Sequence, residues 1–163
     1  MNEILLTLLL WIQSNAVIEG FNGEYIPIFE FSEAELVETL PKVEYVDSPV
    51  TFLQSCLRSA LKGIPGWKDE DLIEASKSPI LGCYTYYNNT IYIRSDIPSL
   101  SIDTIYGQSI LVHELTHWLQ YKQMKDLEMS YYVHDSLEKL AYQIDDMYLK
   151  YRMYLERNPI TSR

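Results

Sequence analysis

The chain is poor in residues that hold a fold together by chemistry rather than by packing. Of its 163 residues only 2 are cysteines, Cys56 and Cys83. That is too few for a disulfide framework, and they lie too far apart for a C-x-x-C redox or zinc pair. Two readings stay open for them: a single bridge, or two small buried hydrophobes, the commoner fate of a cysteine. The 6 glycines and 7 prolines are scattered, so neither a flexible linker nor a low-complexity tract divides the chain. No apolar run reaches the ~20 residues that a membrane-spanning helix needs, which predicts no integral membrane span. Cations are scarce as well. With 13 Lys+Arg against 23 Asp+Glu the formal net charge is −10, which excludes a basic footprint for phosphate backbones and with it nucleic acid as a partner.

What remains is ordinary globular material, 47% hydrophobic and 22% charged, in a length that fits one domain spanning residues 1–163. The amino terminus admits two readings. Ile4 to Ile12 is strongly apolar and is followed by Ser14-Asn15-Ala16, the pattern of a signal peptide with a small-residue cleavage site. Glu3 stands where such a signal carries Lys or Arg, which favours a core helix over residues 1–16. The same feature favours a soluble cytoplasmic protein over a secreted or periplasmic one.

Further along, Ser32 with Glu35 three residues later is a capping box, predicting a short helix from Ser32 that stops at Pro41. Phe52, Cys56, Leu57 and Leu61 recur at helical spacing, predicting a helix over Thr51–Lys62, and Asp69–Ser76 reads as another. The period then changes to that of strands. Tyr84–Tyr87 and Thr90–Arg94 flank Asn88-Asn89 and predict a hairpin with a two-residue turn. A helix capped by Asp103 or Thr104 follows, running to about Lys122. In the last segment Leu137, Leu140, Ala141, Ile144, Tyr148, Tyr151 and Leu155 form one helical stripe that ends before Pro159. Helices, a central hairpin and two more helices make an α+β fold, mostly helical with a small antiparallel β-hairpin or sheet.

The chemistry concentrates in His113-Glu114-Leu115-Thr116-His117. At 3.6 residues per turn His113 and His117 stack on one helix face, so their imidazoles can occupy adjacent corners of a zinc tetrahedron. Glu114, one position off that face, can reach a metal-activated water as general base. The motif uses two of the chain's 3 histidines and sits between Ile110-Leu111-Val112 and Trp118-Leu119. Unpaired imidazoles and an acid on so apolar a helix would be costly to bury.

On these residues the chain resembles the zincin metallopeptidases, over roughly residues 80–150. Within them it most resembles a group of small bacterial proteins with a tyrosine-rich hairpin, an H-E-L-x-H-x-L-Q helix and a later E-x-x-A-Y helix. Here these are His113 to Gln120 and Glu138 to Tyr142. The metzincin branch is excluded, because Gln120 and Gln123 stand where it requires glycine and histidine. The resemblance implies a zincin-like fold, a Zn²⁺ held by His113, His117 and a gluzincin-type Glu138, and a protein or peptide substrate. Glu138 has a competing reading as the closing member of a capping box opened by Asp135, with His134, Asp135 and Glu128 as other third ligands. Tyr142 and His134 are the candidate oxyanion donors, and Asp145 can hold the second nitrogen of a ligand histidine. Thermolysin-like members carry an acid four residues after the glutamate ligand, where this chain has Tyr142. The expected activity is zinc-dependent peptide hydrolysis; the alternatives are a zinc-holding regulatory or immunity-type module that binds a protein partner, and a purely structural zinc site.

Overall fold

The computed structural model describes residues 1–19, 22–57, 80–124 and 131–159, with side chains of the last segment from 136 onward. In chain order these form α1 (Asn2–Asn15), β1 (Val17–Glu19), β2 (Tyr25–Pro27), α2 (Glu33–Glu38), β3 (Lys42–Val46), α3 (Pro49–Leu57), β4 (Gly82–Thr85), β5 (Thr90–Arg94), a 3₁₀ turn (Pro98–Leu100), α4 (Ile105–Gln123) and α5 (Tyr131–Arg157). The fold is α+β, as the order of patterns predicts. The region expected as a helix over Asp69–Ser76 lies outside the described residues, as does Glu128.

The core is organised around α4, buried on nearly every side. Leu5, Leu8, Leu9 and Ile12 of α1 meet Leu111, Val112, Leu115 and Leu119 of α4, with Ile91 and Ile93 of β5 and Ile144 and Tyr148 of α5 closing the cluster. Each such aliphatic side chain contributes about 1.5–3 kcal/mol by leaving water. The apolar amino-terminal run is therefore a helix packed into the core. Thr104 caps α4 by accepting from the Gly107 N–H at 2.9 Å. Gly107 has to be glycine, since a Cβ there would lie 2.1 Å from the Ser101 carbonyl oxygen. Among the described residues no helix is long and apolar enough to cross a membrane.

The sheet is richer than the hairpin expected from sequence. β4 and β5 pair antiparallel, but β3 adds on the far side of β5 in parallel, giving the order β3-β5-β4. β1 and β2 form a separate antiparallel ribbon whose residues are all exposed. The turn also differs from expectation: strand pairing ends at Thr85–Thr90, so four residues, not two, make the connection. Asn89 enters the left-handed region (φ 51°), which asparagine tolerates better than most residues. Its amide explains the wider turn. Nδ2 donates to the Thr39 and Leu40 carbonyls at 3.1 and 3.3 Å, and Oδ1 accepts from Trp118 Nε1 at 3.0 Å. The turn is thereby pinned to α4 and to the end of α2.

Cys56 and Cys83 form a disulfide, with Cα atoms 6.0 Å apart. The reading as two free, buried thiols is corrected: α3 lies against β4, and Phe52, Leu53 and Tyr92 build a second small core that brings the two sulfurs together. The bridge joins residues 27 positions apart in sequence and ties α3 to the edge strand of the sheet.

Candidate metal centre

Three elements converge at the middle of α4. The helix supplies His113 and His117 from one face, α5 supplies Glu138 from the facing side, and β4 walls the site opposite α5. The two Nε2 atoms lie 3.1 Å apart. Glu138 places Oε2 3.4 Å from His113 Nε2 and Oε1 3.3 Å from His117 Nε2. These three residues are the group among the described residues that could hold a metal ion.

The outer nitrogens define what the inner ones carry. His113 Nδ1 lies 3.1 Å from Asp145 Oδ2, and His117 Nδ1 lies 2.9 Å from Gln120 Oε1. Both partners are acceptors, so both Nδ1 atoms carry the proton of the neutral ring and both Nε2 atoms present lone pairs. Two lone pairs and a carboxylate facing one another within hydrogen-bond distance repel unless positive charge lies among them. Without a metal that charge is protons. Burial alone would depress His113, yet hydrogen bonds to Asp145 and Glu138, with the charge of Glu114, push its pKa up to about 10. His117 is raised against its burial by Glu138 and Glu114, and Glu138 is held well below the usual carboxylate range by the two imidazoles.

Glu138 sits two turns inside α5, since that helix begins at Tyr131. It is therefore not the closing residue of a capping box at a helix start. Asp145, two turns further on, holds His113 as its spacing allows. Tyr142 lies between them on the same face, with its ring 4.6 Å from the His113 ring, and is 62% exposed toward the cleft. Burial and the neighbouring Glu138 raise its phenol pKa. The side chain of His134 lies outside the described residues.

Glu114 is buried, and burial raises its pKa above the ordinary carboxylate range. Its carboxylate accepts the backbone N–H of Tyr84. It is accommodated by an absence: a Cβ on Gly82 would stand 2.9 Å from Glu114 Oε1 and 2.9 Å from Ile110 Cγ2. Sequence reasoning passed over both Gly82 and the Tyr84 amide, because their contacts exist only once β4 is laid against α4. Gln120 enters the sequence reading as the end of the H-E-L-x-H-x-L-Q helix and as a departure from the metzincin pattern, with no role at the site; its i+3 spacing from His117 was a usable signal.

Around these groups lies a cleft of about 770 Å³, walled by β4 and its flanks, α4 and α5. Tyr84, Tyr86, Tyr121, Met124 and Leu137 are among the residues lining it, and the Tyr86 and Tyr121 rings stack with centroids 5.0 Å apart. β4 is an edge strand. Because Arg94 N–H bonds the Leu81 carbonyl, the backbone groups of Gly82 and Tyr84 turn away from β5 toward the cleft. No family model, no curated protein and no solved structure matches this chain.

Proposed function

We propose that the protein is a zinc-dependent metallopeptidase. The observation that carries this reading is the convergence of His113, His117 and Glu138 at 3.1–3.4 Å beside a buried Glu114. Zinc bonds of about 2.0–2.1 Å imply tetrahedral edges of roughly 3.3–3.4 Å, close to these separations. A His₂Glu set also leaves a fourth position free, as catalytic rather than structural zinc sites do. A zinc ion held there would supply Lewis acidity, activating a water and polarising a carbonyl.

The chain's own residues do the rest. Glu114 takes the water's proton on its carboxylate and returns it to the leaving amine, a task suited to an acid whose proton affinity burial has raised. Tyr142, exposed beside His113, donates its phenol proton toward the developing oxyanion. The cleft-facing backbone of Gly82 and the carbonyl of Tyr84, whose N–H is taken by Glu114, offer an extended peptide an edge to pair with, and the stacked tyrosines lining the cleft suit apolar side chains.

The test is metal content and cleavage of a mixed peptide library, for wild type and Glu114→Gln, with and without chelator. The reading expects near-stoichiometric zinc in both, and chelator-sensitive cleavage by wild type alone. Cleavage undiminished in Glu114→Gln overturns the mechanism. Zinc without cleavage in wild type moves the reading to a zinc-holding module that binds a protein partner.

A further inference from the structure

Both imidazoles at the site are oriented from α5, but by different devices. Asp145 reaches His113 directly, as a carboxylate. At His117 Nδ1 no described residue of α5 does so, Glu138 standing at Nε2 instead. Gln120, 3% exposed, stands between: Oε1 is 2.9 Å from His117 Nδ1, and Nε2 donates to the Leu137 carbonyl at 2.9 Å.

We infer that Gln120 is a positioning residue that selects the tautomer of His117 and ties this imidazole to the α5 backbone one residue before Glu138. An amide has one accepting and one donating end, and a backbone carbonyl only accepts. The Leu137 carbonyl therefore claims the NH₂ group and leaves the oxygen for His117. Turned over, the amide would set its oxygen against the Leu137 carbonyl and its NH₂ against Nδ1. The ring would then have to carry its proton on Nε2, the atom that faces Glu138 and His113, and could not ligate. Gln120 is buried, so water is poorly placed to substitute for either bond. The position of α5 thus enters the chemistry twice, through Glu138 as a donor and through the Leu137 carbonyl as the group that orients the amide. The inference rests on the metal reading for its consequence but not for its geometry.

The experiment compares wild type, Gln120→Met and Gln120→Glu. Zinc affinity is measured by competition with a chromogenic chelator, and the imidazole nitrogens are read by long-range ¹H–¹⁵N spectra. Methionine keeps the bulk and removes both bonds. The expected result is a 10–100-fold weaker zinc affinity, the usual cost of losing such a partner, together with loss of the protected Nδ1 proton of His117. Glutamate keeps the acceptor, so it restores the Nδ1–H signature and recovers most of the affinity. A role in packing alone predicts the opposite order, since a carboxylate at this buried position packs worse than methionine. Gln120→Met with wild-type affinity and an unchanged His117 spectrum overturns the inference. If Gln120→Met fails to fold, Gln120→Glu decides: loss of the Nδ1 proton in that variant refutes the assignment. A wild type that takes up no zinc sinks the metal reading alone. In that case the spectra are read on metal-free protein with the ring neutral: a proton on Nδ1 in wild type that moves to Nε2 in Gln120→Met supports the inference, and a proton on Nε2 in wild type refutes it.

Discussion

Helices α1 and α4 share one core but bury different things in it. α1 buries Leu5, Leu8, Leu9 and Ile12 and no polar side chain. α4 buries comparable leucines and, among them, Ser109, His113, Glu114, Thr116 and Gln120. A buried leucine needs only neighbours of the right shape, whereas a buried imidazole or carboxylate costs several kcal/mol unless each polar atom finds a partner. Those partners are supplied: among the described residues no buried side-chain nitrogen or oxygen lacks a hydrogen bond. An apolar seam would have been the simpler route to stability, so the polar seam of α4 points to function. The two helices therefore separate residues that hold the chain together from residues gathered at the candidate metal centre.

That separation can be broken at either end. Leu9→Ala in α1 leaves a cavity in a fully buried site. It should cost about 2–5 kcal/mol in urea unfolding, while the folded fraction binds zinc as wild type does. Glu138→Ala should do the reverse, weakening zinc binding by more than about 100-fold, beyond the loss of an outer partner, with metal-free unfolding moved far less.

Metal-free protein should also show the site's demand for positive charge in its pH dependence. The folded pKa of His113 lies at about 10, above its ordinary 6.5. Its contribution to stability is thus complete below pH 6.5 and lost as pH rises toward 10. Glu138, depressed in the fold, contributes above its ordinary value of 4.5 and loses that contribution as pH falls below it. Urea midpoints of chelator-treated protein should fall on both sides of this window. A midpoint unchanged from pH 6 to 10 would show that His113 gains no charge partner in the fold. The smallest effect is expected for Gly82→Ala. Its methyl must displace the Glu114 carboxylate or Ile110 by a few tenths of an ångström, lowering turnover several-fold with zinc content unchanged.

How far this was legible in the sequence follows from the range of each signal. His113, His117 and Glu114 are local: four residues and one helical period place them. Glu138 and Asp145 were accessible because α5 carries one apolar stripe that must pack on the neighbouring buried helix α4, and both residues flank that stripe. The reading of Glu138 as a candidate third ligand came from the family resemblance. Its capping-box rival failed because α5 starts at Tyr131, upstream of any periodic signal. Gly82, the Tyr84 amide and the parallel pairing of β3 depend on contacts between distant segments, which no local period records. The turn was misjudged for the same reason: Asn89 answers to Thr39, Leu40 and Trp118, not to its neighbours. The cysteines lay beyond sequence reasoning because their pairing depends on α3 coming to rest on β4.

The Cys56–Cys83 bridge has a consequence for how the polypeptide can be read on a gel. Every peptide bond from Cys56 to Cys83 lies inside the covalent ring that it closes. A single proteolytic cut there opens the ring and leaves one molecule of unchanged mass apart from an added water. Two fragments separate only after reduction. Nicking in that stretch would therefore be silent under non-reducing conditions, and a preparation judged intact by such a gel could already be two chains.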